Sequence, residues 1–345
     1  MYPAKRLNIS DFLNLAASVP VIDVRSPSEF SAGHIPGAYN IPLFDDKERE
    51  SVGIQYKKEG RGKAILNGLQ LTGPGIYLKL EEALKLAKEN QLLVHCWRGG
   101  MRSDAMSWLF SLGDIETAVL EGGYKSYRHH ILKILAEKRK YIVLGGLTGS
   151  GKTEILKNMK NKGHQVIDLE GIACHKGSAF GSLGQPAQPT SEHFANLLFH
   201  EIENTDKNKV VWLEDESKNI GTVFMPDQFY HNLRESPVVA LIMTVQTRMP
   251  RLIKGYSAYP KEELISSIKR ISKRLGGDYT KEAINEVEAN NFSRAIEITL
   301  NYYDKTYLYG LKGRKEELVH FIHTETADTE ANILKILKVA DKIAS

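Results

Sequence analysis

Residues 140–145 (KYIVLG) form an apolar run. It leads straight into Gly146-Leu147-Thr148-Gly149-Ser150-Gly151-Lys152-Thr153, and a helix-forming stretch opens near Glu154. The eight residues satisfy G-x-x-x-x-G-K-[ST] at every fixed position, in the strand–loop–helix setting that gives the pattern its meaning. A chance match in a chain of this length is on the order of one percent by average composition. Gly146, Gly149 and Gly151, with Ser150 between them, let N–H groups wrap around phosphate oxygens at a helix N-terminus. Lys152 supplies a point charge and Thr153 offers a hydroxyl to Mg2+. The loop therefore recognises a polyphosphate or diphosphate. No motif selects a base, so no nucleotide is implied.

A second apolar run, VVWLEDES at 210–217, ends in acids and occupies the place where a carboxylate holds Mg2+ through water. Glu214, Asp215 and Glu216 are the candidates, with Thr153 and Asp215 set down as the metal pair. Asp168 and Glu170 close another apolar run and form a second acidic candidate.

Length and composition bound the rest. The 345 residues suggest two domains, at roughly 150 residues each. Hydrophobic residues at 42% and charged residues at 26% exclude disordered and fibrous classes. No apolar run approaches the ~20 residues of a membrane helix. The N-terminal MYPAKRLNISDFLNL lacks the features of a signal peptide, and no membrane partner is expected. Cys96 and Cys174 are the two cysteines, which excludes a disulfide framework and fits a reduced, cytoplasmic protein. The net charge of +4 does not settle a partner, but residues 251–274 hold seven basic and two acidic side chains.

The first third alternates strands (18–24, 91–96, and the TAVLEGG segment) with helices (81–90, 102–112), the order of a parallel α/β sheet. Residues 53–75, rich in Gly and Lys and without clear periodicity, read as a long irregular insertion. A basic helix near 125–139 links to the phosphate-loop unit, whose further strands are expected at 164–168, 209–214 and 237–245. After residue 260 the pattern turns helical, at 262–275, 281–309 and 329–343.

Cys96 ends an apolar strand in His95-Cys96-Trp97-Arg98-Gly99-Gly100-Met101-Arg102-Ser103. Gly99 and Gly100 allow a tight fold with N–H groups pointing inward, and a helix follows with its positive end toward the same space. Arg98 and Arg102 add charge. All three features favour a thiolate, or an anionic sulfur or selenium carried on Cys96.

Around this loop lie Asp23-Val24-Arg25, Glu29-Phe30, Gly33-His34-Ile35-Pro36-Gly37-Ala38 and Leu120-Glu121-Gly122-Gly123-Tyr124. Together they resemble a rhodanese domain over about residues 5–130. In that likeness Cys96 carries a chalcogen to an acceptor, Asp23 and Arg25 organise the sheet edge, and His34 is a structural hydrogen-bonding residue. Further strings narrow the likeness: the Cys96–Ser103 loop, Asp168-Leu169-Glu170-Gly171-Ile172-Ala173, His175-Lys176-Gly177-Ser178-Ala179-Phe180-Gly181, Gln185-Pro186, Glu214-Asp215-Glu216-Ser217 and Ile220-Gly221. With them, essentially the whole chain resembles the tRNA 2-selenouridine synthase family. Lys176 departs from the pattern, standing where Arg is expected; it keeps the charge and loses the bidentate fork.

The resemblance implies an α/β fold: a rhodanese-like parallel-sheet domain (1–130), a linker helix (131–139), a P-loop NTPase-like α/β core (140–260) and a helical C-terminal part (261–345) touching tRNA. It implies two steps at a wobble 2-thiouridine. A geranyl group moves from geranyl diphosphate to sulfur, then selenium derived from selenophosphate replaces the S-geranyl group. Mg2+ is the expected cofactor, and the supplier of selenophosphate an expected partner. On this reading Cys96, Arg98, Gly99, Gly100, Arg102 and Ser103 serve the selenium step. Gly146, Gly149, Ser150, Gly151, Lys152, Thr153, Asp168, Glu214 and Glu216 serve the diphosphate.

Arg251, Lys254, Lys269, Arg270, Lys273 and Arg274 are the candidate tRNA-backbone contacts. Phe292, Tyr302, Tyr303, Tyr307 and Tyr309, among Arg294, Lys305, Lys312 and Arg314, could stack anticodon bases, against a competing reading as helix core. Cys174 reads as a small buried residue, and Cys174-His175 has no second ligand pair spaced for zinc. The alternative function is a P-loop ATPase or kinase with a sulfur-carrying appendage, residues 248–274 forming its arginine lid.

Overall fold

A computed structural model describes residues 4–344, so the outermost residues of the two terminal spans lie outside the described residues. The chain divides into two compact units, residues 1–134 with 195–197, and residues 135–194 with 198–345.

The first unit runs β1 (Lys5–Leu7), α1 (Ile9–Ala16), β2 (Val21–Asp23), α2 (Pro27–Ala32), β3 (Tyr39–Asn40), α3 (Asp46–Glu59), α4 (Arg61–Thr72), α5 (Ile76–Leu86), β4 (Gln91–His95), α6 (Met101–Ser111), β5 (Glu116–Leu120) and α7 (Gly123–Leu135). Its five strands are parallel, in the order β1-β5-β4-β2-β3. A parallel sheet is covered on both faces, which is why its strands read as apolar runs rather than alternating ones. Ile22, Val24, Leu92, Val94 and Val119 pack with Met106, Leu109 and Phe110 of α6 in one core. Cys96, at the carboxyl end of the sheet, belongs to that core.

The expectation of an irregular insertion at 53–75 is overturned: the segment is two helices. Asp45 caps α3 by accepting from the Glu48 amide at 2.8 Å, while Glu48 accepts from the Asp45 amide at 2.9 Å, a capping box. Gly60 separates α3 from α4. The α3 sequence DKERESVGIQYKKE buries no residue, so its helical period left no apolar stripe to read. The basic helix expected near 125–139 is α7, Gly123–Leu135, and its residues up to Ile134 belong to the first unit.

The second unit runs β6 (Tyr141–Gly146), α8 (Lys152–Asn161), β7 (Gln165–Ile167), α9 (Leu169–Ala173), α10 (Ser191–Glu203), β8 (Val211–Glu214), β9 (Asn219–Ile220), β10 (Val223–Phe224), α11 (Asp227–Arg234), β11 (Val238–Met243), α12 (Val245–Tyr256), α13 (Lys261–Arg270), α14 (Ser272–Leu275), α15 (Gly277–Glu288), α16 (Phe292–Leu311), β12 (Val319–Thr324) and α17 (Thr329–Ala344). Residues 195–197 of α10 group with the first unit. The main sheet is parallel, in the order β12-β11-β6-β8-β7, and β9 with β10 forms an antiparallel pair. Ile142, Leu144, Trp212, Val239, Leu241 and Ile322 pack against Ile155 and Met159 of α8 and Ile333 and Ile336 of α17.

The region after residue 260 is helical with one exception. β12 pairs with β11 from Val238–Val319 to Met243–Thr324, so the C-terminal residues complete the phosphate-loop sheet rather than standing outside it. The expected helix at 281–309 is two helices, broken where Asn290 takes φ +60°.

Candidate functional site

The first unit presents Cys96 in a backbone cradle. Gly100 donates its amide to Sγ at 3.4 Å, and Ser103 Oγ lies 3.4 Å from Sγ. Ser103 also sits 2.8 Å from the Gly100 carbonyl. One hydroxyl proton serves one acceptor at a time. Ser103 therefore donates to Gly100 beside a thiol and turns to sulfur beside a thiolate. Burial pushes the Cys96 thiol up, but the Ser103 hydroxyl, the Gly100 amide, the Arg102 charge and the Arg98 amide together bring it below the ordinary thiol range.

Gly99 is required here: φ is +63°, and a side chain would run into the Leu120 carbonyl. Arg6 of β1 donates to the Gly99 carbonyl and pairs with Asp104 at 2.6 Å. Sequence reasoning missed Arg6, because nothing local in the chain links it to residue 99. The structure brings Cys96, Gly99, Gly100 and Ser103 together as expected. Arg98 is exposed beside them. Arg102 is not a free cation: it forms a bidentate pair with Glu29, at 2.6 and 3.3 Å.

Asp23 and Arg25 are buried and paired at 2.6 Å, and Arg25 lies 3.8 Å from the centroid of the Tyr124 ring. Tyr124 in turn donates its amide to the Cys96 carbonyl at 2.9 Å. The pair thus carries the floor of the cysteine loop. His34 Nδ1 lies 2.9 Å from the Phe30 carbonyl and its ring stacks on Phe30 at 3.8 Å.

The second unit presents the phosphate loop at the carboxyl end of β6, the place where ligands enter open parallel sheets. Gly149 and Gly151 both take positive φ, and Lys152 Nζ donates to the Gly146 carbonyl at 3.0 Å. Ser150 is buried with its hydroxyl unpartnered. Two arginines of α12 hold the loop's carbonyls outward. Arg248 donates to Thr148 at 2.8 Å and forms a bidentate pair with Asp304, and Arg251 donates to Gly149 at 3.3 Å.

Thr153 Oγ1 donates to Glu170 at 3.1 Å. Behind it, Glu214 accepts from the Leu169 amide at 3.0 Å while its Oε1 is buried without a partner. Burial and the charges of Asp168 and Glu170 push Glu214 up to about 8. Burial and Glu170 hold Glu216 well above the carboxylate range, against the pull of Lys152. Asp168 caps α9 through the Gly171 amide at 2.6 Å.

Crowded carboxylates with an orphaned buried oxygen, facing a loop threonine, fit a divalent cation. Among the described residues no three His, Cys, Asp or Glu side chains converge as a protein-only cage. Mg2+ at phosphate loops characteristically keeps waters and takes one or two carboxylates plus phosphate oxygens.

Asp215 is a correction. Its Oδ1 pairs with Arg314 at 2.7 Å and its Oδ2 accepts from Tyr307 at 3.1 Å, so both oxygens are taken up in holding the fold. Strand alternation is the reason: in β8 and just beyond, Glu214 and Asp215 point to opposite faces.

The tRNA-contact residues divide. Lys254, Lys269, Arg270, Lys273 and Arg274 are exposed, with Arg270 reaching Ser182 at 3.2 Å and Arg274 reaching Tyr302 at 3.4 Å. Arg251 is instead at the phosphate loop. Of the aromatic set, Phe292, Tyr302 and Tyr303 pack against a helical core, and Tyr307 bonds the phosphate loop. Tyr309 is 78% exposed. Arg294 is engaged by Glu282 and Glu297, and Arg314 is buried. Lys305 and Lys312 are exposed. Cys174 is half-buried at the end of α9 with φ +51°, not a fully buried residue.

Comparison with known proteins covers both parts of the chain. Residues 139–335 match the family described as tRNA 2-selenouridine synthase AAA domain, and residues 9–130 match the rhodanese-like domain. Proteins named tRNA 2-selenouridine synthase align along nearly the full chain. That of Nitrosomonas europaea is 32% identical, over 87% of this chain and 91% of its own. That of Sulfurovum sp. is 35% identical, over 88% and 92%. That of Marinobacter nauticus is 35% identical, over 92% and 95%. With a rhodanese-like cysteine cradle and a phosphate loop in one chain, and likeness running through both, the chain belongs to the tRNA 2-selenouridine synthase family.

Proposed function

We propose that this enzyme converts the wobble 2-thiouridine of tRNA to 2-selenouridine in two steps, using geranyl diphosphate and then selenophosphate. The observation that carries the reading is the coexistence of two anion sites of different chemistry. One is a phosphate loop backed by an acid cluster, and the other a cysteine held in an amide cradle.

In the first step the thiocarbonyl sulfur attacks C1 of the geranyl group. The C–O bond breaks, and the electron pair leaves with the diphosphate. Lys152 and the loop amides around Gly149 and Gly151 stabilise that developing charge. Thr153 with Glu170 and Glu214 would hold Mg2+, which would neutralise charge on the leaving group. Alkylation makes C2 electrophilic and sulfur a leaving group.

In the second step the selenium of selenophosphate attacks C2 and geranylthiolate departs. Water then cleaves the P–Se bond, releasing phosphate, so selenium stays reduced and no external oxidant is needed. Cys96 and the Gly100 amide support the anionic selenium donor, with Arg98 exposed beside them.

The exposed cations of α12 to α14, Lys254, Lys269, Arg270, Lys273 and Arg274, contact the RNA backbone. Among the described residues no helix is long and apolar enough to cross a membrane.

The test uses a 2-thiouridine anticodon stem-loop, the enzyme, Mg2+ and geranyl diphosphate, with and without selenophosphate, read by nucleoside mass spectrometry. A geranylated nucleoside that converts to 2-selenouridine on adding selenophosphate is the expected result, and Lys152→Ala abolishes its first half. An unchanged nucleoside with ATP hydrolysis in a parallel assay would overturn it in favour of a nucleotide-dependent enzyme.

A further inference from the structure

We infer that Arg251 is a phosphate-contacting residue of the loop site, one that trades its ion pair with Glu154 for the arriving diphosphate. The inference rests on the loop's binding a diphosphate and deepens that reading. It does not depend on which organic group the diphosphate bears.

The geometry separates Arg251 from its neighbour on α12. Arg248 is 1% exposed, bidentate to Asp304 and bonded to the Thr148 carbonyl, so every arm of its fork is engaged in holding the fold. Arg251, one turn on, is 31% exposed. Its guanidinium lies over the last glycine of the loop: Nη1 stands 2.6 Å from where a Gly151 side chain would begin. Its bonds there are exchangeable. The one to the Gly149 carbonyl is long, at 3.3 Å, and the one to Glu154, at 3.0 Å, is to a carboxylate that is 55% exposed. An ion pair of that exposure is screened by solvent and weakly held.

Charge balance gives the reason such a residue is needed. Lys152 is the cation within the loop, and it draws on Glu216, around which Glu170 and Glu214 also crowd. A diphosphate adds further negative charge to an already acidic neighbourhood. An arginine fork beside Gly151 matches phosphate oxygens in shape as well as sign. Glu154 is itself steadied by Thr329, which donates to Oε1 at 3.2 Å, so it can release the guanidinium without collapsing onto the loop.

The experiment measures binding of inorganic diphosphate with Mg2+ to the full chain by calorimetry. The proteins are wild type, Arg251→Ala, Arg251→Lys and Glu154→Gln, with thermal melts as folding controls. Binding of a 2-thiouridine stem-loop is measured over a salt series in parallel. Arg251→Ala is expected to weaken diphosphate binding by about tenfold or more, the scale of one charge-assisted hydrogen bond, with Arg251→Lys between it and wild type. Glu154→Gln, which removes the competing carboxylate, is expected to tighten it. RNA affinity and its salt slope stay unchanged in Arg251→Ala.

Diphosphate binding in Arg251→Ala within about twofold of wild type would overturn the inference. So would weaker binding in Glu154→Gln. A loss of RNA affinity with the salt slope reduced by about one would return Arg251 to the RNA backbone. Geranyl diphosphate and ATP are titrated alongside. A wild type that prefers ATP defeats the prenyl reading and leaves the Arg251→Ala ratio for diphosphate to decide the role of Arg251.

Discussion

The phenol of Tyr307, near the C-terminal end of α16, accepts the backbone amide of Gly146 at 2.8 Å and donates to Asp215 at 3.1 Å. The first glycine of the phosphate loop is thus fixed by a residue 161 positions away. Asp215 is held in turn by Arg314, which donates to the carbonyls of Leu233, Arg234 and Ser236. Helix α16 and the buried Asp215–Arg314 pair together form the support on which the loop rests.

Tyr307→Phe leaves the Gly146 amide without its acceptor. Stability is expected to fall by about 1–3 kcal/mol, measured by denaturant unfolding, with KM for the diphosphate substrate raised. Gly145→Ala places a methyl group against the Tyr307 hydroxyl. Because the tightest contact is with that oxygen, with Val238 Cγ2 next at 3.0 Å, the double variant Gly145→Ala/Tyr307→Phe is expected to lose less than the sum of the single losses.

Asp215→Asn separates a structural acid from a metal-binding one. It leaves Arg314 buried beside a neutral group, so a loss of about 3 kcal/mol or more is expected. The stabilisation that Mg2+ confers on the protein is expected to persist. Glu214→Gln should do the opposite, keeping the fold and blunting the Mg2+ response. A thermal-shift titration with Mg2+ on both variants compares them directly.

Glu214 also predicts a pH dependence. Its folded-state value of about 8 lies above that of a free carboxyl, so the folded protein binds the proton more tightly than the unfolded chain. The stability this contributes is complete below the unfolded value and is lost as pH rises through about 8. Without Mg2+, wild-type stability should therefore decline from mildly acidic to mildly alkaline pH more steeply than that of Glu214→Gln. Mg2+ should stabilise the wild type more as pH rises, because the cation takes the deprotonated form. Denaturant unfolding across that pH range, with and without Mg2+, tests both slopes.

Ser103 is expected to set the reactivity of Cys96. Ser103→Ala removes a hydroxyl that stabilises the thiolate, so the midpoint of Cys96 alkylation should move to higher pH. Cys96→Ser should abolish formation of 2-selenouridine while the geranylated nucleoside still accumulates. Loss of geranylation in Cys96→Ser would place the cysteine at the other step.

Much of the molecule was legible in the chain itself, for a physical reason. The phosphate loop and the cysteine loop are contiguous: their glycines, charges and following helices are neighbours in sequence, so local chemistry specifies them. The inner strands of both parallel sheets were legible too, because strands buried on both faces read as unbroken apolar runs, whereas the edge strands β1, β3 and β12 were not read. The helices α3 and α4 were not: α3 is an exposed helix held by a capping box and shows no apolar period, and α4 buries the small residues Ala64, Gly68 and Thr72 rather than a stripe of large apolar ones.

What the tertiary structure alone decided is which face of each element meets the loops. Arg248 with Arg251, and Asp304 with Tyr307, each stand three residues apart and so share a helix face. Nothing in that spacing says the faces turn toward residues 146–151. Asp215 was separated from Glu214 by the pleat of β8, and Arg251 from the exposed cations that follow it by the packing of α12. Those choices arise from long-range packing, where each side chain takes the partner the fold brings within reach.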